Sequence, residues 1–347
     1  MTILFQYTEL ASYFLAGVRE LVQQGHAVHI VRWPVNKEAP FRFTFPEGVT
    51  VYERQDYNTR QLVALVRTIR PDLIITSGWV DKGYLQVCRK FKETIPTVMS
   101  MDNHWLGTAR QQVMRLAAPL LLHRFFTHAW VPGAPQKHYA LKLGFRPERI
   151  AEGFYCADVD HFSGAAPDRC EASPFPRKLI YVGRYVHQKG LDLLFPAFME
   201  LQKETPNDWE LWCAGTGDLY DQRPTHPKIK HLGFLQPDEL KETLKGAGVF
   251  VLPSRFEPWG VVVHEMAAAG FPMICSSAVG AATRFLEDGK NGYLFQNESR
   301  ADLKQALKRM MSLSDEELRT MARHSHKLGM SYTPKMWAEQ AVRTIGQ

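Results

Sequence analysis

Two glutamates, Glu257 and Glu265, are separated by seven residues in the stretch SRFEPWGVVVHEMAAAGFPMICS. Pro258 suits the first position of a helix, so the pattern predicts Glu257 just before a helix and Glu265 about two turns into it. Eight helical positions span roughly 12 Å, and the start of a helix offers unpaired backbone N–H groups. The spacing therefore fits a diphosphate at the helix N-terminus with one carboxylate at each end.

The residues at the start of that helix, Trp259, Gly260 and Val261, are the candidates for contacting the diphosphate there. A carboxylate accepts two hydrogen bonds without a proton of its own, which suits the vicinal diols of sugars. Glu257 is therefore the candidate that holds a donor sugar, and Glu265 the candidate that holds a ribose. The competing interpretation is that Glu257 caps its helix and Glu265 is an exposed helical residue.

A second charged pattern follows the apolar run in KLIYVGRYVHQKG. Gly183 and Arg184 come directly after the predicted strand, and Lys189 precedes a predicted helix. Two cations at the carboxyl end of a strand suit a dense negative charge such as a diphosphate. The spacing lacks the three glycines of a dinucleotide fingerprint, which argues against a nicotinamide-dependent oxidoreductase.

The composition bounds the class of protein. A chain of 347 residues exceeds one ordinary core and predicts two domains. No apolar run is long enough to cross a bilayer, and MTILFQYT lacks the charged region of a signal peptide. The five scattered cysteines predict buried free thiols in a reducing cytoplasm. No histidine spacing indicates a metal site, and no basic, aromatic-interleaved tract indicates nucleic acid.

Short apolar runs alternate with helix-like segments along most of the chain. The predicted strands are TILFQY, HAVHIVRW, VTVYER, DLIITSG, TVMSMD and THAWVPG in the first half, then KLIYVGR, ELWCAG, IKHLGFL, GVFVLPS and PMICSSA. Such alternation predicts parallel sheets covered by helices on both faces. The expected fold class is α/β, with two Rossmann-like doubly wound domains facing a cleft, where ligands bind beyond the carboxyl ends of the strands.

The domain boundaries follow from composition. Residues 1–162 are predicted to form the first domain, and the aperiodic segment 163–176, SGAAPDRCEASPFP, is predicted to be a linker. Residues 177–333 are predicted to form the second domain, and the terminal helix 334–347 is predicted to pack back on the first.

Residues 177–330 resemble the retaining glycosyltransferases of family 4, which have the two-domain GT-B fold. The resemblance depends on the loop from Gly183 to Gly190, on AGTGD at Ala214 to Asp218, on the E-x7-E spacing and on VGAATRFLEDGKNGYLF. It implies that Arg184 and Lys189 bind the donor diphosphate, Glu257 the donor sugar and Glu265 the nucleotide ribose. The backbone at Gly233, Phe234 and Leu235 is implied to frame the base.

Two segments depart from the family pattern. Ala281, Thr283 and Arg284 stand where the family usually shows Gly, Pro and Glu. The first loop, YTELASYF, lacks the glycine pair that often lets donor phosphates approach, which weakens the case for donor contacts through Tyr7 to Ala11.

The first half resembles the family less closely. The family commonly has a histidine after the strand that here reads IPTVMSMDNHW. Register places Asp102 at that position, with His104 as the alternative, and either is a candidate catalytic residue on the acceptor side. Trp33, Trp79 and Trp105 follow three strand-like runs and are candidate platforms for an acceptor sugar, although packing is the plainer interpretation of each.

The sequence thus predicts an enzyme that transfers a sugar from a nucleotide-sugar donor to a saccharide or lipid-linked acceptor in cell-surface glycan synthesis. The resemblance implies that the transfer retains the configuration at the anomeric carbon. No cofactor and no divalent metal are expected, and no nucleic acid partner. The formal charge of +6 fits a cytoplasmic protein with peripheral contact to an anionic membrane at the inner face of the plasma membrane. The alternatives are a non-transferring GT-B enzyme resembling sugar-nucleotide epimerases and a non-catalytic saccharide-binding relative.

Overall fold

The structure, a computed structural model, describes residues 1–34 and 43–343. It divides into two compact units: Met1–Ala157 together with the segment from Thr333 onward, and Asp158–Tyr332. Each unit contains one parallel sheet with helices, so the predicted α/β class with two Rossmann-like domains is confirmed.

The first unit is built on a parallel sheet of seven strands in the order β3-β2-β1-β4-β5-β6-β7. The strands are β1 Thr2–Tyr7, β2 Ala27–Arg32, β3 Val49–Glu53, β4 Leu73–Ser77, β5 Thr97–Ser100, β6 His128–Val131 and β7 Ile150–Glu152. Its helices are α1 Ser12–Gln23, α2 Thr59–Ile69, α3 Lys82–Phe91, α4 Ala109–Leu121, α5 Ala134–Lys142 and the C-terminal α14 Pro334–Arg343.

Both faces of this sheet are buried. Leu4 of β1 belongs to a core cluster with Leu62 of α2 and Tyr84 of α3. The next residue, Phe5, points to the other face, where its ring lies 5.0 Å from Phe14 of α1. Because successive residues of a strand face opposite sides, a strand covered on both faces must be apolar throughout, which explains the continuous apolar runs.

The C-terminal helix α14 packs within the first unit. The indole Nε1 of Trp337 donates to the carbonyl oxygen of Phe154 at 2.6 Å, and its ring fills the space beside Gly17, where any added Cβ would overlap it. The Trp337 ring also lies 5.8 Å from Phe14. Residues 344–347, the end of the predicted terminal helix, lie outside the described residues.

The second unit is built on a parallel sheet of six strands in the order β10-β9-β8-β11-β12-β13. The strands are β8 Lys178–Val182, β9 Glu210–Ala214, β10 Ile229–Gly233, β11 Val249–Leu252, β12 Met273–Ser276 and β13 Gly292–Phe295. Its helices are α6 Val159–Ser163, α7 Pro167–Cys170, α8 Leu191–Glu204, α9 Pro237–Lys245, α10 Val261–Ala268, α11 Ala282–Phe285, α12 Arg300–Met311 and α13 Asp315–Gly329.

The segment 163–176, predicted to be a linker, is instead an integral part of the second unit. Arg169 in α7 is fully buried, and its guanidinium donates to the carbonyl oxygens of Leu244, Ala247 and Ala269. A buried cation needs such partners to offset its desolvation, and these carbonyls lie at the ends of neighbouring elements. The Pro- and Ser-rich composition therefore indicated an irregular segment but not an exposed one.

The five cysteines are free thiols, and Cys170 is the one that is not fully buried. Among the described residues, no helix combines the length and the apolar character that crossing a membrane requires.

Candidate functional site

The loop that follows β8 carries the first cationic pattern. It contains Gly183, Arg184 and Tyr185, then a 3₁₀ turn at His187–Lys189, and Gly190 caps α8 in the left-handed conformation with φ +71°. The Arg184 side chain is exposed, while Lys189 is partly buried. The phenol of Tyr181, buried in β8, donates to the Arg184 carbonyl oxygen at 2.7 Å and fixes the turn. The loop therefore presents two cations at the carboxyl end of a central strand, as predicted.

A second loop, after β9, lies against this one with its backbone in direct contact. Gly215 and Gly217 adopt φ values of +133° and +152°, and an added Cβ at either would overlap the backbone of Gly183 or Tyr185. The N–H of Tyr185 donates to the Thr216 carbonyl oxygen at 2.9 Å. The glycines of AGTGD are thus required for this close approach.

The chain around Glu257 differs from the prediction. Pro258 does not open the helix: α10 begins at Val261, and Gly260 caps it in the left-handed conformation with φ +87°. The residues before the cap are held by the loop after β12, because Gly280 N–H donates to the Glu257 carbonyl oxygen at 3.0 Å and Ala281 N–H donates to that of Trp259 at 2.8 Å. These bonds compete with helix formation, so only the part of the E-x7-E stretch from Val261 onward is helical.

The carboxylate of Glu257 has two partners in the second unit. The ammonium of Lys189 forms an ion pair with its Oε2, and the Ser254 hydroxyl donates to the same oxygen at 3.2 Å. The Lys189 and Glu257 side chains are 15% and 12% exposed, so the pair is largely removed from water. The structure therefore brings together two residues that the sequence assigned to neighbouring parts of one ligand, and it adds Ser254, which the sequence analysis did not select.

Trp259 follows Glu257 by two residues and lies just before the N-terminus of α10. It is 2% exposed, and within the part of the chain that the structure describes its indole Nε1 has no hydrogen-bond partner. The N–H groups in the first turn of α10, at Val261 and Val262, belong to partly exposed residues. Donors in a helix's first turn have no partner within the helix, which makes this end a suitable place for an anion.

Glu265 lies one turn inside α10 and is partly buried. Burial, reinforced by the neighbouring carboxylate of Asp158, raises the pKa of Glu265 to about 7. Asp158 is the N-cap of α6, where its side chain accepts from the His161 N–H at 3.3 Å. Among residues 1–34 and 43–343, no hydrogen bond or ion pair satisfies the Glu265 carboxylate, so a hydroxyl-bearing ligand could stabilise its ionised form.

The histidine next to Glu265 has a structural role. His264 is fully buried, and its ring stacks on Phe285 with centroids 4.0 Å apart. Burial lowers the pKa of His264 to about 4, so the ring is neutral at physiological pH. The structure therefore gives His264 a packing role.

The predicted base-binding residues follow β10. Gly233 ends that strand with φ +73°, and its carbonyl oxygen accepts from the Gly215 N–H at 2.6 Å. Phe234 and Leu235 continue the loop and are partly exposed. The three residues therefore lie at the carboxyl edge of the same sheet, next to the glycine loop after β9.

In the first unit, Asp102 and His104 both follow β5, and Asp102 joins a group of tyrosines. The Tyr155 hydroxyl donates to Asp102 Oδ2 at 3.2 Å, and the rings of Tyr155 and Tyr13 lie 5.6 Å apart in an edge arrangement. Burial and the nearby Tyr13 and Asp102 raise the pKa of Tyr7 and of Tyr155 well above the usual value. The sequence pattern did not select Tyr155.

The three candidate tryptophans follow β2, β4 and β5, whose carboxyl ends share one edge of the parallel sheet. Trp33 is the most accessible, at 36% exposure, and its Nε1 donates to Asp81 at 2.9 Å. Trp79 and Trp105 are partly buried against the core. The Lys142 ammonium lies 5.0 Å from the Trp105 ring centroid, so the lysine covers part of that ring's face.

Among the described residues, no group of three or more His, Cys, Asp and Glu side chains is arranged to hold a metal ion. The residues that are candidates for binding a nucleotide-sugar carry cations or carboxylates, or contribute backbone N–H groups.

Comparison with solved structures identifies the fold class as GT-B. The chain aligns over its whole length with Anabaena HepE in complex with UDP and glucose, with a TM-score of 0.71, 18% identity and 99% of that chain covered. It aligns similarly with sucrose-phosphate synthase from Thermosynechococcus elongatus, with a TM-score of 0.72, 17% identity and coverage of 99% and 97%. At these identities the likeness establishes the fold alone.

A family match covers most of the second unit. Residues 171–327 match the family described as glycosyl transferases group 1. An uncharacterized glycosyltransferase of Methanocaldococcus jannaschii is 35% identical over 33% of this chain and 31% of its own length. Glycogen synthase of Mycobacterium tuberculosis is 35% identical over 34% of this chain and 30% of its own. The chain thus matches about a third of the length of these curated relatives.

Proposed function

We propose that the protein is a retaining glycosyltransferase that moves a hexose from a nucleotide-diphosphate sugar to a saccharide or lipid-linked acceptor in cell-surface glycan synthesis. The observation that carries the proposal is the position of Arg184, Lys189 and Glu257 at the carboxyl edge of the second sheet, beside the N-terminus of α10. The match of residues 171–327 to glycosyl transferases group 1 and the structural likeness to HepE, whose structures contain UDP or UDP-glucose, support it.

The chemistry at the donor is stabilisation of a leaving diphosphate. Breaking the bond between sugar and phosphate places negative charge on the diphosphate and positive charge on the sugar. Arg184, Lys189 and the first-turn N–H groups of α10 would stabilise the leaving charge, because they are positioned before the reaction begins. Such a site works without a divalent metal or a further cofactor, which is our expectation here.

The carboxylates would orient the two ends of the donor. Glu257 would accept hydrogen bonds from hydroxyls of the donor sugar, while its pairing with Lys189 keeps both groups beside the diphosphate. Glu265 would accept from the ribose hydroxyls, which supply the partners that its carboxylate lacks. The backbone from Gly233 to Leu235 would frame the base.

The acceptor side is assigned to the first unit. Asp102, held by the Tyr155 hydroxyl, or His104 two residues later would contact the reacting sugars, and at least one of Trp33, Trp79 and Trp105 would stack on a saccharide. Retention is proposed to follow from attack on the face that the diphosphate leaves, with a donor phosphate oxygen taking the acceptor proton. The site of action is proposed to be the cytoplasm, consistent with five free thiols.

Thermal-shift measurements against UDP-, GDP-, ADP- and dTDP-sugars test donor binding. A true donor at about 100 times its Kd should raise Tm by roughly 4–8 °C, because a ligand that binds only the folded state stabilises it by about 2.7 kcal/mol at that concentration. Arg184→Ala should reduce this shift, whereas Lys308→Ala, an exposed cation on α12, should retain it. If no nucleotide-sugar changes Tm, the proposal is wrong.

Product analysis separates transfer from the alternatives. Proton NMR of the product should show the anomeric configuration of the donor, and Glu257→Ala should form less than about 1% of the wild-type product while remaining folded. A nucleotide-sugar with altered sugar stereochemistry would indicate an epimerase-like enzyme. Donor binding without hydrolysis or transfer would indicate a non-catalytic saccharide-binding protein.

A further inference from the structure

Helix α4, Ala109–Leu121, is apolar on two sides. On one side, Met114 and Ala118 pack against the core of the first unit. On another side, Val113, Leu116 and Leu120 are 65%, 74% and 79% exposed. These three residues are spaced i, i+3 and i+7, so they form one stripe along the helix. A core-facing helix needs only one apolar side, and a second exposed stripe marks a contact surface.

The apolar stripe extends beyond the helix at both ends. Leu121 is 44% exposed at the C-terminus, and Leu106 is 54% exposed in the loop before the N-terminus. That loop is fixed to the helix, because the Gln111 side chain accepts from the Leu106 N–H at 2.7 Å and Thr108 caps the first turn. The exposed apolar residues therefore lie on an ordered surface.

The charged residues of the sequence segment that contains α4 all have one sign. Between Asp102 and Glu148 the sequence contains six Lys or Arg residues and no Asp or Glu: Arg110, Arg115, Arg124, Lys137, Lys142 and Arg146. Arg115 lies on α4 and Arg124 just after it, and both are exposed. An exposed apolar stripe bordered by cations is the pattern of helices that lie in the interface of an anionic membrane.

We propose that the stripe formed by Leu106, Val113, Leu116, Leu120 and Leu121 seats the protein on an anionic phospholipid surface. The apolar side chains would enter the boundary between headgroups and acyl chains, and Arg115 and Arg124 would contact lipid phosphates. A second copy of the chain is a less favourable occupant. A symmetric dimer through this stripe would bring Arg115 and Arg124 of the two copies close together, and these cations repel each other.

Vesicle flotation tests this surface directly. The wild-type protein should float with vesicles of phosphatidylcholine mixed with phosphatidylglycerol and much less with phosphatidylcholine alone. Leu116→Ser with Leu120→Ser should weaken this binding by about 10-fold or more, because each leucine transfers its apolar area into the interface. The matched control is Val80→Ser with Leu294→Ser, two residues that are 70% and 41% exposed elsewhere. The control should bind as the wild type does.

The contribution of the cations to vesicle binding is tested by a charge-reversal variant and a matched control. Arg115→Glu with Arg124→Glu should reduce binding to anionic vesicles by about 10-fold or more, since each cation near such a surface contributes on the order of 1 kcal/mol. Lys203→Glu with Lys308→Glu changes the net charge equally, on exposed positions of α8 and α12, and should reduce binding far less.

Three results would overturn the proposal. They are no flotation of the wild type with anionic vesicles, equal losses in the α4 variants and their controls, or a wild-type dimer in sedimentation that Leu116→Ser with Leu120→Ser converts to monomer. Circular dichroism confirms that each variant is folded. Because vesicle binding needs no donor or acceptor, its outcome is independent of the proposed transferase activity.

Discussion

Lys189 and Glu257 form an ion pair between two loops of the second unit, 68 residues apart in the chain. The loops follow β8 and β11, which are neighbours in the sheet. Ser254 donates to the same carboxylate oxygen at 3.2 Å. Because both charged side chains are mostly removed from water, each depends on the other to offset the cost of its burial.

A double-mutant cycle should detect this dependence. Lys189→Met and Glu257→Gln should each lower the free energy of unfolding by about 1–2 kcal/mol, since either change leaves one partner unpaired. The double variant should lose about 1 kcal/mol less than the sum of the two single losses. Urea denaturation of the four proteins provides the measurement.

The exposed pair of Lys245 and Glu242, which is 47% and 67% exposed, provides the control cycle. Its coupling should be below about 0.5 kcal/mol because water screens both charges. Equal coupling energies in the two cycles would show that burial does not strengthen the Lys189–Glu257 ion pair.

Alanine substitutions at Gly190 and Gly289 should distinguish the cost of a left-handed backbone from the cost of a steric overlap. Their φ values, +71° and +76°, are nearly equal, but an added Cβ would overlap the Pro253 carbonyl oxygen at Gly190 and meet nothing within 4 Å at Gly289. Gly289→Ala should cost about 1 kcal/mol from the left-handed conformation alone. Gly190→Ala should cost about 3 kcal/mol or more in the same denaturation experiment. Equal costs would mean that the loops after β8 and β11 are not in contact as described.

The sequence predicted the fold well because most strands are buried on both faces. All eleven predicted strands are present, and most coincide with an apolar run. The two missed strands both lie at a sheet edge: Ile150–Glu152 has only three residues, and Gly292–Phe295 exposes Leu294. The segment containing Arg169 was misassigned because its partners are carbonyl groups distant in sequence, which composition does not reveal.

The candidate site was predicted less completely. Its charged residues could be selected because Arg184, Lys189, Glu257 and Glu265 stand in an apolar or glycine-rich context. The start of α10 at Val261 could not be predicted from the sequence, because it depends on hydrogen bonds between residues 257–259 and the loop after β12. Propensity at Pro258 indicated an earlier start, and the tertiary contacts overrode it.

Glu265 should make stability depend on pH. Its pKa of about 7 in the folded protein lies above the ordinary value of 4.5, so the folded state binds this proton more tightly than the unfolded state. The resulting stabilisation is present below about pH 4.5 and is lost as pH rises through 7. Relative to Glu265→Gln, the wild type should lose about 2 kcal/mol of unfolding free energy between pH 5 and pH 8, after allowance for partial exposure. A difference that is constant or grows with pH would contradict this assignment.

The same proton should control donor binding. Only the ionised carboxylate accepts from two ribose hydroxyls, so wild-type affinity for the nucleotide-sugar should rise between pH 6 and pH 8 with a midpoint near 7. Glu265→Gln should bind more weakly at pH 8 and show no such rise. Calorimetric titration of a nucleotide-sugar, whose diphosphate does not titrate in this range, separates the protein's proton from the ligand's. A pH-dependent rise retained in Glu265→Gln would move the effect to another group.

Trp33 offers the clearest test of acceptor binding, because it is held at the edge of the first sheet yet exposes a third of its surface. Its Nε1 donates to Asp81, which also accepts from Arg54 at 2.8 Å, and these bonds fix the ring before any acceptor arrives. Trp33→Ala should therefore raise the acceptor KM about 10-fold, the value of one stacked aromatic contact, and leave the donor KM unchanged. Trp33→Phe should have an acceptor KM between those of the wild type and Trp33→Ala, since it keeps an aromatic face and loses the bond to Asp81. Trp212→Ala, in the second unit, is the control and should leave both constants unchanged. If the acceptor KM is also unchanged in Trp79→Ala and Trp105→Ala, none of the three tryptophans stacks on the acceptor, and their positions reflect packing alone.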